Sequence, residues 1–369
     1  MDRDAEPAKS ATDKEIIIIA YLKMMLKSNR WEDRCGAISG ALLLIEHSLN
    51  QGGLSKELSS FMWEHILDKT FPDLLVDTEF RVREQTALLL KAIVLSDQSG
   101  KGLQNFKRIL DMLLKNIQLT FSRDGKGSDA SGILKTEVRP LISPDSDSGK
   151  TMHDTEGWKS LETSMRNLQN LIEAIGTHLY AFDLSEVLVV IKKAIAHLNR
   201  FVREISYFVI NAIFETSVGV HKTEHYDEFK KFCEELVPLT SQGLADNWSQ
   251  VRFAASLCSR SYQKVVQQED VEDDVKNHYN GILVPRMCIN RYYVAEGVRV
   301  YSQETWRIVF GEKGKEVICN YADEISEFYI AQSQADNHAV REAACHCISE
   351  LCSKVTLTEE AKEPFRKHI

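Results

Sequence analysis

One short phrase, which occurs twice near the end of the chain, constrains the fold more than any other feature. Residues 246–256 read DNWSQVRFAAS, and residues 336–345 read DNHAVREAAC. Both begin with Asp-Asn, continue with Val-Arg after a spacer, and then reach Ala-Ala. A phrase that recurs in this way indicates an internal repeat, because repeat proteins reuse one supersecondary unit along the chain.

The arginine of the phrase has counterparts in most of the sequence. Related phrases place it at six positions, and Leu161 stands at the same place in a seventh copy, WKSLETS. Successive anchors lie 42 to 49 residues apart, except for one gap of 78 residues between Arg83 and Leu161. The residue three after the anchor is small in every copy. The anchoring arginines are Arg34, Arg83, Arg203, Arg252, Arg299 and Arg341.

Each copy opens a helical pattern. In the second copy, Val82, Thr86, Leu89, Leu90 and Ile93 recur at the spacing of one helix face. We expect the valine before the anchor to point into the core. Another helical pattern precedes each copy, and 18 Gly and 7 Pro are few turn-forming residues for 369 positions. The sequence therefore predicts two helices joined by a turn in each repeat.

This arrangement resembles a known class of repeat protein. A period of 42–49 residues per helix pair lies in the range of HEAT and armadillo repeats. The Asp/Asn…Val-Arg…Ala-Ala phrase resembles the second-helix signature of HEAT repeats, and the resemblance covers residues 14–353. It implies an all-α fold, a right-handed HEAT-like α-solenoid, in the form of a superhelix of about seven antiparallel helix pairs.

The resemblance also implies a role for the anchors. In HEAT repeats, the aspartate and arginine of the phrase typically form a ladder of hydrogen bonds between adjacent repeats. Here the copies at Arg203 and Arg299 have no aspartate close to them in the sequence, and Leu161 cannot contribute. We therefore expect an interrupted ladder. The aspartates available to it are Asp33, Asp77, Asp246 and Asp336.

Three segments depart from the repeat array, which is expected to span residues 14–353. Residues 122–157, inside the third repeat, are rich in Ser and Gly and carry charges of both signs, which predicts a disordered insertion. Residues 1–13 are mainly polar and predict a disordered N-terminal tail. Residues 354–369 contain a partial helix, which predicts either the start of a further repeat or a cap that folds back on the last one.

Composition and charge exclude several classes of protein. A formal net charge of −9 gives no general electrostatic footprint for nucleic acid or anionic lipid. The eight cysteines are too sparse for a disulfide scaffold and predict free thiols in a reducing compartment. No stretch approaches the ~20 apolar residues of a membrane span, and the N-terminus has no secretory signal. We expect a soluble cytoplasmic protein, with the nucleus as the alternative, and neither a specific nucleic acid nor a membrane as partner.

Motifs for catalysis or cofactor binding are incomplete. GEKGK at residues 311–315 lacks the spacing of a phosphate-binding loop and favours a turn. CHCISELC at residues 345–352 holds three cysteines and a histidine, but one straight helix cannot direct four ligands at a zinc ion, so buried free thiols are favoured. We predict no enzyme activity, no catalytic residues, no cofactor, no metal site and no small-molecule substrate.

The turns between paired helices carry large aromatic and basic residues. Such residues on a rigid edge are typical of protein-interaction hot spots. An aromatic residue at this place can also pack against the first turn of its own helix, and both interpretations stay open at this point. The candidates for binding a protein are Trp31, Phe80, Trp158, Arg200, Trp248, Tyr292 and His338.

These features lead to one main functional hypothesis and two alternatives. The resemblance implies a non-enzymatic scaffold or adaptor that binds another protein, on a concave face lined by the second helices or along the turns. In one alternative, WEDR at Trp31–Arg34 resembles the Trp-x-x-Arg of a first TOG repeat, which implies tubulin or microtubule binding through the turns. In the other, the chain is a fragment of a karyopherin-like transport receptor.

Overall fold

The computed structural model describes residues 11–97, 101–124, 158–268, 271 and 273–354. Within these ranges every regular element is a helix, and no helix has the length and apolar content that crossing a membrane requires. The chain divides into two compact units, Met1–Phe182 (unit 1) and Asp183–Ile369 (unit 2).

Unit 1 contains three helix pairs. The first helix of the second pair is composite, because a π-helix joins two short α-helices. The elements are α1 (Asp13–Met25), α2 (Trp31–Asn50), α3 (Lys56–Ser60), the π-helix (Phe61–Thr70), α4 (Phe71–Leu75), α5 (Phe80–Leu95), α6 (Lys101–Asp124), α7 (Trp158–Ile175) and a 3-10 helix (Gly176–Ala181). The second helices α2, α5 and α7 pack side by side in chain order.

Unit 2 contains four helix pairs, and the first helix of its last pair is again divided. The elements are α8 (Ser185–Ile195), α9 (Arg200–Thr216), α10 (Tyr226–Gly243), α11 (Ser249–Val266), α12 (Asp273–Asn290), α13 (Glu296–Phe310), α14 (Gly314–Asn320), α15 (Ala322–Ser333) and α16 (His338–Lys354), with 3-10 helices at Val220–Lys222 and Gly311–Lys313. The second helices α9, α11 and α13 form one layer, and the first helices α10, α12 and α15 form another.

The all-α fold predicted from the sequence is confirmed in the described residues, which form seven successive helix pairs. Other expectations fall largely outside them. Residues 1–10 of the predicted tail, residues 125–157 of the predicted insertion and residues 355–369 of the predicted partial helix are not described. Helix α6 continues to Asp124 and therefore includes the first three residues assigned to the insertion.

Two positions of the repeated phrase lie in the core: the valine before the anchor, in most copies, and the small residue three after it. Val82, Val202 and Val251, which precede their anchors, are fully buried, and Val298 is nearly so. Val340 departs from the expectation and is only half-buried, because α16 turns Ala339 and the later alanines toward the core. The small residues three after the anchor are all buried: Ala37, Thr86, Ser164, Ser206, Ala255, Ser302 and Ala344. Their small volume lets neighbouring helices approach closely.

The π-helix has a local cause in the sequence. In this segment the N–H of Phe71 donates to the carbonyl of Ile66, five residues earlier, instead of the usual four. Pro72 follows immediately, and proline has no N–H and collides with the carbonyl four residues before it in a regular α-helix. A wider turn ahead of Pro72 lets the first helix of the second repeat continue without a break.

Candidate protein-binding edge

The turns before four of the second helices, α5, α9, α11 and α16, are closed by short hydrogen bonds in which an Asp or Asn side chain accepts from the backbone. Asp77 Oδ1 accepts from the N–H of Glu79, and Asp246 Oδ1 accepts from the N–H of Trp248, both at 2.9 Å. Asn199 and Asn337 accept in the same way from residues two ahead. These side chains occupy N–H groups that have no partner at the start of a helix, and so hold the turns rigid.

Several anchoring arginines also stabilise the turns before the second helices, because their side chains donate to backbone carbonyls there. Arg34 donates to the carbonyl of Ser28 at 2.8 Å, and Arg203 donates to those of His197 and Leu198 at 3.0 and 2.8 Å. Arg341 donates to two carbonyls in its own turn. These carbonyls lie just beyond the C-terminus of the preceding helix, where the helix dipole makes a cationic donor favourable.

Two anchors also connect consecutive repeats through bidentate ion pairs. Arg34 Nε and Nη2 donate to the Asp77 carboxylate at 2.6 and 2.9 Å, and this raises the pKa of Arg34. Arg203 makes the same pair with Asp246, at 2.8 and 3.1 Å. Both pairs lie in half-buried surroundings, where bidentate geometry is most effective.

Among the described residues, the other anchors form no ion pair with the next repeat, and Arg83 and Arg252 make hydrogen bonds to neutral groups instead. Arg83 donates to Thr163 Oγ1 at 3.0 Å and to the carbonyl of Asp77 at 2.5 Å. Arg252 donates to Asn290 Oδ1 at 2.8 Å and to the carbonyl of Asp246 at 2.5 Å. Leu161 is fully buried. The inter-repeat contacts therefore form an interrupted series, and they bring the turns of neighbouring repeats side by side. We call this row of turns, with the first residues of the second helices, the turn edge of each unit.

In unit 1 the turn edge carries three of the predicted residues. Trp31 is half-buried, and the Arg81 guanidinium of the next repeat lies 4.8 Å from its ring centroid. Phe80 is 48% exposed. Trp158 is half-buried and lies beside Lys159.

In unit 2 the turn edge carries the other four. The Arg200 guanidinium lies 4.3 Å from the ring centroid of Trp248, which belongs to the next repeat and is 39% exposed. Tyr292 is half-buried and stacks on His346. His338 is exposed at the start of α16. The structure thus joins Arg200 and Trp248 directly, whereas Tyr292 and His338 belong to later repeats.

Sequence reasoning missed several exposed apolar residues of the same edges. Leu198, two residues before Arg200, is 81% exposed, and Phe201, which follows Arg200, is 36% exposed. Val76 and Val294 are also exposed in their turns. The sequence contained a signal for these residues. Each is apolar and stands within or beside a repeat phrase, but at a position outside the set predicted to face the core.

One prediction about the cysteines of α16 is wrong in part. Cys347 is buried, but Cys345 and Cys352 are exposed. The helix directs Ala343, Ala344, Cys347 and Leu351 inward, so residues 345 and 352, seven positions apart, share the opposite face. In the described part of the chain no group of three or more His, Cys, Asp or Glu residues is placed to hold a metal ion. GEKGK forms a 3-10 helix and the first residues of α14.

Comparisons with known proteins agree with this architecture. No family model matches the sequence, and no curated protein matches it. Among solved structures, Kap121p bound to Ste12p matches 95% of this chain and 36% of its own, with 14% identity and a TM-score of 0.52. Kap95p in a structure with RanGDP matches 96% of this chain and 39% of its own, with 10% identity and a TM-score of 0.54. The chain has a HEAT-like repeat fold. It spans little more than a third of the length of these karyopherins.

Proposed function

We propose that this HEAT-like protein is a non-enzymatic scaffold or adaptor that binds another protein along its turn edges. One observation carries the proposal: Leu198, Phe201 and Trp248 present exposed apolar surface on rigid turns of unit 2, beside Arg200. Trp and Arg are enriched among the residues that dominate binding energy in protein interfaces. Rigid turns also lower the entropy that is lost on binding.

The alternative role for the aromatic residues, packing against the start of their own helix, accounts for them less well. A ring that serves mainly to fix a helix start is expected to be covered, but Trp248 and Phe80 keep 39% and 48% of their surface exposed. The second-helix face of unit 2 is a weaker candidate. Its exposed Phe253 already packs edge-on against Tyr301, with ring centroids 5.2 Å apart.

Affinity purification with mass spectrometry tests the proposal. The bait is the full chain, compared with Leu198→Ala/Trp248→Ala and with a matched control, Val300→Ala/Ile308→Ala, which removes two exposed apolar residues of α13. We expect at least one partner protein to be recovered with the wild type and with the control, but not with Leu198→Ala/Trp248→Ala. Recovery of the same proteins by all three baits contradicts binding at the turn edge.

Tubulin binding is a second candidate for unit 1. Trp31 lies at the turn edge, with Arg81 over its ring. Arg34 of the same WEDR stretch is paired with Asp77 inside the protein. Of these two residues, Trp31 is therefore the better candidate for contact with tubulin. Co-sedimentation with microtubules and binding to soluble tubulin test this function. If no binding occurs, or if Trp31→Ala and Trp248→Ala leave it unchanged, the TOG-like alternative is excluded.

A karyopherin-like function is the remaining alternative, supported only by the fold. The solved relatives include Kap121p bound to Ste12p and Kap95p with RanGDP. A transport receptor is expected to bind Ran and to occur in both nucleus and cytoplasm, whereas we propose a cytoplasmic scaffold. Binding to purified Ran, together with the location of a fluorescent fusion, distinguishes the two.

A further inference from the structure

We propose that Arg200 is a recognition site for a carboxylate that a partner protein carries next to a large apolar side chain. The inference rests on the proposed function, since it assigns a chemistry to the partner that docks on the turn edge of unit 2. It concerns a single subsite, which consists of Arg200 and the exposed residues Leu198, Phe201 and Trp248.

The Arg200 guanidinium is held in place by two aromatic rings. Its central carbon lies 4.3 Å from the ring centroid of Trp248 and 4.8 Å from that of Phe201. Its Nε is buried and has no hydrogen-bond partner, and no acidic residue in the described ranges forms an ion pair with it. The rings therefore orient a planar cation whose hydrogen-bonding capacity is not used within the described protein.

Three other arginines that stack on aromatic rings have polar partners, whereas Arg286, over Phe328, also has a buried Nε without one. Arg81, over Trp31, lies 3.8 Å from the carboxylate of Glu79. Arg252, over Tyr293, donates to Asn290. Arg291, over Trp306, pairs with Glu350 at 3.2 Å. Stacking alone therefore does not explain why Arg200 lacks an acceptor.

Asp246, in the turn of the next repeat, is not available as a hydrogen-bond acceptor for Arg200. Asp246 already accepts both bonds of Arg203, at 2.8 and 3.1 Å, and its Oδ1 also accepts from the N–H of Trp248. With Asp246 occupied in this way, an external acceptor is needed for the two Nη groups of Arg200, which, unlike Nε, are not buried. A carboxylate fits best, because it lies in plane with the guanidinium and can accept two bonds from these groups.

The surroundings of Arg200 specify what accompanies that carboxylate. Leu198 is 81% exposed, and Phe201 and Trp248 are each more than a third exposed. Apolar side chains around a charged anchor exclude water, which strengthens the central ion pair. The subsite therefore favours a protein segment in which Asp or Glu, or a terminal carboxylate, adjoins Leu, Phe or a similar residue. An apolar rim and a net charge of −9 disfavour a nucleic-acid backbone.

Peptide selection on the full-length protein tests the assignment. A display library of random ten-residue peptides is selected against the wild type, Arg200→Gln, Trp248→Ala and Arg307→Gln. The last is a matched control that removes an exposed arginine from the last turn of α13. We expect acidic residues next to Leu, Phe or Trp to be enriched on the wild type and on Arg307→Gln, and this enrichment to disappear on Arg200→Gln.

Synthetic versions of the selected peptides give the magnitude. We expect the Kd to rise about tenfold or more in Arg200→Gln, and less in Arg200→Lys, which keeps the charge without the planar fork. Peptides with Asn or Gln in place of the acid, and peptides with an amidated C-terminus, distinguish a side-chain carboxylate from a terminal one. Circular dichroism verifies that each variant is folded.

The possible failures are distinguishable. Selected peptides that need Trp248 but contain no acid overturn the carboxylate assignment and leave the proposed function intact. Peptides that bind independently of Trp248, or no selected peptides at all, contradict both. A fluorescent 20-residue poly(U) RNA whose binding depends on Arg200 shows that the site takes a phosphate backbone, and it overturns the assignment to a protein partner.

Discussion

At the scale of single residues, the buried Arg252 and the half-buried Arg286 of unit 2 differ in how well their charge is compensated. Arg252 is 4% exposed and donates to Asn290 and to the carbonyl of Asp246. Arg286 stacks over Phe328 at 4.4 Å, but its Nε is buried without a hydrogen-bond partner. Burial, with a smaller contribution from the charge of Arg252, lowers the pKa of Arg286 to about 10. The two side chains should therefore respond oppositely to replacement by an apolar one.

Arg286→Met is expected to stabilise unit 2, whereas Arg252→Met destabilises it. Removing a poorly compensated buried charge gains about 1 kcal/mol, and removing Arg252 leaves its buried acceptors unsatisfied at a cost of about 3 kcal/mol. Thermal denaturation followed by circular dichroism measures both. A lower midpoint for Arg286→Met than for the wild type would show that Arg286 is already well solvated or paired.

His65 makes the stability of unit 1 depend on pH. It lies in the π-helix with its Nε2 buried and without a hydrogen-bond partner. Burial, and then the charges of Lys23, Lys27 and Lys69, lower its pKa below the usual 6.5. Because the unfolded chain binds the proton more tightly, the stability is fully present above pH 6.5 and falls as the pH drops below it.

The His65→Gln variant should lose less stability on acidification than the wild type. The measurement is the change in the thermal midpoint between pH 7.5 and pH 5.5. His47→Gln, which replaces an exposed histidine of α2, serves as the control and should behave as the wild type. An equal change in all three proteins contradicts the role of His65.

At the scale of whole elements, close packing of α10 against two second helices depends on one glycine. Gly243 is the last residue of α10, and a β-carbon there would lie 2.4 Å from Cζ of Tyr207 on α9 and 2.8 Å from Cβ of Ala255 on α11. Tyr207 is buried, and its hydroxyl donates to the carbonyl of Leu239 at 3.1 Å. The ring therefore cannot move aside without losing that bond.

Gly243→Ala should destabilise the protein by about 1–3 kcal/mol, since overpacking outweighs the helix propensity of alanine. The matched control is Gly297→Ala in the first turn of α13, where an added β-carbon meets nothing within 4 Å. That variant should be neutral or more stable by up to about 1 kcal/mol. Denaturation of both variants in urea gives the comparison, and equal effects would exclude the steric explanation.

At the scale of the whole molecule, the chain divides into two compact units, and the boundary in the sequence falls between Phe182 and Asp183. In repeat proteins, stability arises mainly within repeats and between neighbours, so a unit with several complete repeats can fold by itself. Unit 2 has four helix pairs and contains the proposed subsite at Leu198, Arg200, Phe201 and Trp248.

A fragment of residues 183–369 is therefore expected to fold independently. It should be highly helical, melt cooperatively and retain peptide binding that Arg200→Gln weakens about tenfold or more. Circular dichroism and a two-dimensional NMR spectrum of the fragment provide the measurement. A fragment that is largely unfolded, while the full chain is stable, would show that unit 2 requires unit 1.

Local patterns in the sequence were sufficient for the repeat and its helices. Helix formation depends on residues three and four positions apart, so the spacing of Val82, Thr86 and Leu89 already indicated α5 and its buried face. The phrase spacing gave the number of helix pairs, and the turn positions of Trp31, Phe80 and Trp248 followed from it. Whether those residues bind a partner remains a prediction.

Tertiary structure alone decided which side chains meet. Arg203 pairs with Asp246, 43 residues later, although its own phrase has no aspartate, and this pairing leaves Arg200 without an acid. The exposed positions of Cys345 and Cys352 and the half-buried Val340 depend on how α16 is rotated against its neighbours. Contacts between repeats join residues far apart in the chain, and a shift of one residue in packing changes which of them are buried. The sequence therefore determined the helices and their order, whereas packing between repeats determined the chemistry of the turn edge.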